Sequence, residues 1–198
     1  LAIQERAART REAILLAAAA DFDRYGYQGT SLARIRAAAG ISTGALTFHF
    51  PTKDSLADTI QQRGHERTRQ AVGHLASAPM PALRAVVSLT LALAGLLERD
   101  VTVRAAARLS RERPQACAAW STAWTPTACE LAQRAAEALP REGSAATVIA
   151  LTRHLVAGVE VHLRCSAWQA ASAPDGLSPR AQLEQVWDLL LRGLDLLK

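Results

Sequence analysis

The sequence predicts an all-α protein of about nine helices, and three observations carry that prediction. Apolar residues recur at helical spacing along most of the chain. β-branched runs are short and alternate poorly, so strand signals are nearly absent. Alanine, the strongest helix former, is abundant. The 198 residues are 49% hydrophobic and 21% charged, which suits a folded chain of one large or two small domains.

A first helix is expected from about Gln4 to Tyr25, with Ile14, Leu15, Ala18 and Phe22 on one face and Gly26 as its stop. Thr30 is read as the cap of a short second helix carrying Leu32 and Ile35. Gly40 supplies a sharp turn, and Ser42 or Thr43 caps a third helix over Thr43–His49, ended by Pro51. Thr52 caps a fourth, with Asp54 near its positive end and Leu56 and Ile60 inward. Gly64 and Gly73 weaken that helix, which should end near Ala76–Pro79. A fifth, Pro81–Glu98, is apolar almost all round and therefore buried on several sides. A sixth covers about Val101–Arg111, and a seventh Gln115–Leu139, with Pro126 as a kink or break. An eighth spans Ala145–Ala170, followed by a loop over 171–176. The ninth, Pro179–Leu197, carries a stripe of Leu183, Val186, Trp187, Leu190 and Leu194.

Net charge is +5. Residues 1–70 hold 10 basic and 7 acidic side chains, so the basic excess is denser there. It is mild, and a solvated charged surface would give the same figure. Cys117, Cys129 and Cys165 are odd in number and form no C-x-x-C pair, so buried reduced thiols are expected rather than a disulfide framework. No signal peptide and no apolar run long enough for a bilayer is read, which makes the cytoplasm the expected compartment and a membrane partner unexpected. The chain begins at Leu1 rather than Met, so residues preceding it are expected.

The second and third helices, with the turn at Ala39-Gly40-Ile41 between them, have helix-turn-helix spacing, a device for laying one helix in the major groove of DNA. The candidate DNA contacts are Thr30, Ser31 and Arg34 at the start of the second helix. On the third they are Ser42, Thr43, Gly44, Ala45, Thr47, Phe48 and His49, and Lys53 follows on the fourth. Hydroxyls near the recognition helix's first turn face base edges, small residues allow close approach, and His49 and Lys53 serve phosphates. A plain αα-hairpin with ordinary caps has the same spacing.

The run Gly40-Ile41-Ser42-Thr43-Gly44-Ala45-Leu46-Thr47-Phe48-His49-Phe50-Pro51-Thr52-Lys53-Asp54-Ser55-Leu56, preceded by Gly26-Tyr27 and Thr30-Ser31, resembles the TetR family of one-component regulators over about residues 5–60. Gly44–Phe50, Val103–Leu109, Trp124 and Val186–Gly193 are similar, more narrowly, to the γ-butyrolactone receptor branch of actinomycete regulators. The resemblance implies a homodimer of all-helical subunits, with residues 1–50 as the DNA-binding domain. Residues 51–198 then form the ligand-binding and dimerisation domain, with the fourth helix as connector. It also implies a repressor that holds a pseudo-palindromic double-stranded operator. A small hydrophobic molecule, a butyrolactone-like signal or an antibiotic-type metabolite, releases it. Thr43 stands where that branch commonly has Lys, and Thr47 where it has Tyr. Losing one Lys–phosphate contact lowers the salt slope of binding by about one unit. The alternative is a small-molecule-binding helical protein with weakened or lost DNA binding.

Four Trp against two Tyr and three Phe point to the body of the chain. A Trp offers a wide apolar face and one N–H donor, which suits a carbonyl in an oily pocket, although each Trp also suits a plain core. Candidate ligand residues are Trp124, Trp120, Leu83, Val87 and His162, with Trp168 undecided. The resemblance places Trp124 where the butyrolactone receptors contact ligand. It also notes a hydroxyl near His162 and a Gln near Gly64 that this chain lacks. Leu183, Val186, Trp187, Leu190 and Leu194 are the candidate dimer interface, pairing the last two helices with their mates in a four-helix bundle. Arg104, Arg108 and Arg111 share a helix face, read as solvated or as a link to the DNA unit. No G-x-S-x-G, H-E-x-x-H, P-loop or dinucleotide fingerprint is present, so no catalytic residue, cofactor or metal is expected.

Overall fold

The computed structural model describes residues 2–115, 119–137, 144–165 and 177–196. Among them are nine α-helices, two 3₁₀ turns and no strand. The chain divides into two compact units, residues 1–68 with 100–123, and residues 69–99 with 124–198. This division does not follow the expected boundary after residue 50. The sixth helix groups with the amino-terminal ones.

The first unit contains α1 (Ala2–Gly29), α2 (Leu32–Ala39), α3 (Thr43–His49), most of α4 (Lys53–Val72), α6 (Val101–Glu112) and a 3₁₀ turn at Trp120–Ala123. Its core joins Ile14, Leu15 and Phe22 of α1 to Ile35, Leu46, Phe50, Leu56 and Ile60, and to Ala105 and Leu109 of α6. Helix α1 is broken at Gly26 (φ 71°, ψ −177°), one residue beyond the expected end. The cap of α2 is Ser31, which accepts from the Arg34 amide, and not Thr30, whose side chain is buried. Thr52 does cap α4. Its hydroxyl accepts from the Ser55 amide while Ser55 Oγ accepts from the Thr52 amide, a reciprocal pair that satisfies two orphan donors.

The second unit contains the end of α4, a 3₁₀ turn at Gly73–Ser77, α5 (Ala82–Arg99), α7 (Thr125–Ala136), α8 (Ala145–Arg164) and α9 (Pro179–Leu196). Helix α5 buries Val86, Leu89, Leu93 and Leu97 and packs on α7, α8 and α9. Pro126 does not kink a helix. It sits in the first turn of α7, where its missing N–H costs nothing. Helix α8, 20 residues with a mean hydropathy of 1.2, is long and apolar enough to cross a membrane by length and composition, contrary to expectation. It packs on α5, α7 and α9, burying Val148, Thr152, Val156, Val159 and Glu160. The expected extension of this helix to Ala170, together with Cys117 and Trp168, lies outside the described residues.

Candidate nucleic-acid interface

The turn between α2 and α3 is built by backbone geometry. Gly40 takes the left-handed conformation (φ 65°, ψ 33°). Its N–H donates to Ala37 O and the Ile41 N–H to Arg36 O. That pair of bonds closes a helix and redirects the chain sharply. Ser42 then caps α3 by accepting from the Ala45 amide at 3.2 Å. Leu46 and Phe50 anchor α3 in the core. Thr43, Gly44, Thr47 and Phe48 are left on the opposite, exposed face, with Phe48 81% exposed. Ser42 is exposed at the helix start, while Ala45 and His49 are half-buried at its flanks. The His49 ring meets Phe48 edge-on at 5.2 Å. The Thr47 hydroxyl donates back into its own helix, toward Thr43 O at 3.1 Å and Gly44 O at 3.3 Å.

The other expected contacts divide. Ser31 is exposed. Arg34 remains 45% exposed while paired with Asp21 at 3.2 Å and lying 3.7 Å over the Tyr25 ring. Thr30 is only 2% exposed, so its side chain faces the interior and not a groove. Lys53 has a structural task. Its Nζ donates to Tyr27 O at 2.9 Å and Thr30 O at 3.1 Å, tying the start of α4 to the chain leaving α1.

Sequence reading missed the polar brace beneath this unit. Arg113, at the carboxyl end of α6, donates to Asp54 at 2.8 Å and Gln61 at 2.9 Å, and pairs with Asp58 at 2.9 Å. Its guanidinium also lies 4.8 Å over the Tyr27 ring. Tyr27 donates its own hydroxyl to Asp54, and burial, with that bond next, pushes the phenol above its ordinary value. Arg104 pairs with Asp23 at 2.8 Å, Arg108 donates to Asp23 O, and Glu112 accepts from the Tyr27 amide. Arg104 and Arg108 of α6 therefore bind the end of α1, while Arg111, the third residue of that face, is exposed. A carboxylate at 112 and a cation at 113 just before Pro114 were the available signal.

The ligand candidates separate between the units. Trp120 belongs to the first, where its Nε1 donates to Thr68 Oγ1 at 2.8 Å, so that donor serves the fold. Trp124, buried at the start of α7, belongs to the second, as do Leu83, Val87 and His162, all half-buried. A groove of about 580 Å³ does lie on the protein, but on the first unit, lined by Leu16, Ala20, Arg24 and Ala38 among others, and none of the expected ligand residues borders it.

The dimer candidates also separate. Leu183 and Trp187 face inward, the latter 3% exposed and donating to Thr90 Oγ1 on α5 at 2.7 Å. This corrects their placement in an intersubunit stripe, since a buried indole takes the partner that satisfies its N–H. Val186 and Leu190 are exposed, with Leu189, which sequence reading passed over, the most exposed at 74%. Leu194 lies on α9, its side chain outside the described residues. Among the described residues no group of three or more His, Cys, Asp and Glu is placed to hold a metal.

Residues 14–60 match the sequence profile of the bacterial regulatory proteins of the tetR family. The A-factor receptor protein of Streptomyces griseus is 32% identical over 146 residues, 71% of this chain and 50% of that protein. The chain thus spans about half the length of the curated relative it matches. A γ-butyrolactone receptor described as ArpA-like has a structure that superimposes with a TM-score of 0.73 at 30% identity, covering 96% of this chain and 89% of the other. The TetR family protein CprB from Streptomyces coelicolor, solved in complex with its biological operator sequence, gives 0.70 at 31% identity over 96% and 90%. These likenesses extend well beyond the helix-turn-helix, and the chain belongs to the TetR family of bacterial regulatory proteins, resembling within it the γ-butyrolactone receptors.

Proposed function

We propose that this chain is a dimeric transcriptional repressor of the cytoplasm, released from a pseudo-palindromic operator by a small, largely apolar metabolite. The observation that carries the reading is the uncovered face of α3. Thr43, Gly44, Thr47 and Phe48 stand clear on a helix held by a left-handed glycine turn, in a chain of the TetR family. Ser31, Ser42 and Arg34 flank it, and Ala45 and His49 lie at its edges. Two such helices entering successive major grooves must sit about 34–36 Å apart, which requires a two-fold assembly. Val186, Leu189 and Leu190 form the apolar face we assign to that assembly, with Leu194 one turn further along the sequence. The relatives named for γ-butyrolactone and A-factor reception support a small lactone or a related metabolite as the releasing ligand. Trp124, Leu83, Val87 and His162 are the residues assigned to it.

The test is a gel shift on the DNA upstream of the gene, at 50 and 200 mM salt, with and without a butyrolactone. Binding that weakens steeply with salt supports the reading. Trp124→Ala is expected to impair release and leave DNA binding in place; equal loss of both overturns the assignment. The recognition face carries no Lys or Arg, which favours one second reading, a small-molecule-binding protein without DNA function. Absence of any shift at 50 mM salt would establish it.

A further inference from the structure

The exposed face of α3 has an unusual chemistry for a helix that reads DNA. Between Thr43 and His49 the sequence is Thr-Gly-Ala-Leu-Thr-Phe-His. It contains no Arg or Lys, the side chains that grip guanine O6 and N7. It contains no Asn or Gln, which pair with adenine N6 and N7, and no carboxylate to accept from cytosine N4. What stands uncovered is Thr43, Gly44, Thr47 and Phe48. Phe48 presents an aromatic ring that is 81% exposed, although a ring that size is ordinarily sheltered. Thr47 has already committed its hydroxyl proton to Thr43 O and Gly44 O, at 3.1 and 3.3 Å. It therefore offers DNA a methyl group and a lone pair, and no hydroxyl proton.

In the major groove one base-pair feature answers an apolar surface, the C5-methyl of thymine. We infer that this helix selects its operator by packing Thr47 and Phe48 against thymine methyl groups, so that each half-site carries T·A pairs at the positions facing these residues. The inference rests on the DNA reading proposed above and deepens it by naming what is read. Specificity then comes from apolar contact and groove shape, and polar contacts serve to position the protein. Such a reader is tolerant of which strand carries the purine only where a methyl still meets the side chain. It discriminates against G·C pairs without a C5-methyl at those positions by the worth of the missing methyl, about fourfold.

The experiment selects duplexes from a random pool with the full-length chain, then remakes the selected site with deoxyuridine in place of each thymidine in turn. Uracil keeps every hydrogen-bonding edge and lacks only the methyl. At the positions facing Thr47 and Phe48, binding is expected to fall about fourfold for each methyl removed, the worth of one buried carbon. A 5-methylcytosine·G pair there should bind better than an unmethylated C·G pair. The ratio of thymine to uracil affinity should survive Thr47→Val, which keeps a methyl and deletes the hydroxyl, and fall toward one in Thr47→Ser, which does the reverse. Phe48→Ala should abolish the ratio at its own position. Selected sites in which uracil binds within twofold of thymine throughout, or a ratio lost in Thr47→Val and kept in Thr47→Ser, overturn the inference while leaving DNA binding standing. A pool that yields no bound duplex overturns the DNA reading, and this inference with it.

Discussion

The two compact units both rest on an apolar core and differ in where their ion pairs run. In the first, ion pairs and charged hydrogen bonds run between helices: Arg63 to Glu12, Arg104 to Asp23, Arg113 to Asp54 and Asp58. In the second, the described ion pairs Arg164–Glu160 and Arg180–Glu184 each stay within one helix; between elements run three hydrogen bonds, Trp187 to Thr90, the Arg180 amide to Glu98 and Arg134 to Ala76 O, amid the apolar contacts of Leu89, Leu93, Leu97, Leu131 and Val156. Directional polar bonds fix one geometry. Apolar contact is non-directional and tolerates repacking so long as volume is kept. On the function proposed above, the unit presenting α3 to a rigid groove gains from the first arrangement, and a unit adapting to a guest gains from the second.

Three substitutions probe this contrast, the largest effect first. Phe22→Ala deletes a ring buried at the centre of the first unit and should cost about 3–5 kcal/mol. Urea unfolding measures it, and a loss under about 1 kcal/mol would mean that the polar brace, not the core, carries this unit. Arg113→Ala should cost about 1–2 kcal/mol, discounted because Asp54 and Asp58 keep much of their exposure to water. Hydrogen exchange of the α1 and α4 amides reports that loss locally, and it should shrink in 1 M salt. A penalty insensitive to salt would assign Arg113 to packing. Trp187→Phe keeps the apolar body and removes the donor to Thr90, for about 1 kcal/mol. Exchange in α5 should rise equally at low and high salt; a salt-dependent change would erase the proposed difference between the units.

Where the sequence was readable, the reason is local. Ser42 before Thr43, Thr52 before Lys53 and Gly40 at the turn act within four residues of themselves, so their chemistry is visible in the string. The third helix was therefore placed to the residue. Helix α9 was harder, because its stripe of Leu183, Val186, Trp187, Leu190 and Leu194, widened by Leu189 and Leu191, does not say which part faces the chain's own core. What decides its orientation is Thr90, 97 residues away from Trp187, whose hydroxyl takes the indole proton. Trp120 went astray for the same reason, since Thr68 lies 52 residues from it. Arg113 was hidden by its position beside Pro114, where the sequence suggests only a helix end.

The amide of Tyr27, just past the break at Gly26, is satisfied by Glu112, a carboxylate 85 residues downstream. Gly26 holds a positive φ of 71° that an L side chain strains to adopt, and a Cβ there would meet the same carboxylate. It follows that the helix-turn-helix is not a portable cassette. A fragment cut at the end of the matched region, residue 60, would carry an α1 with a frayed end and a core missing Ala105 and Leu109. Anyone transplanting the helix-turn-helix onto another protein must bring residues 101–113 as a second piece, or design a substitute for the acid they lend.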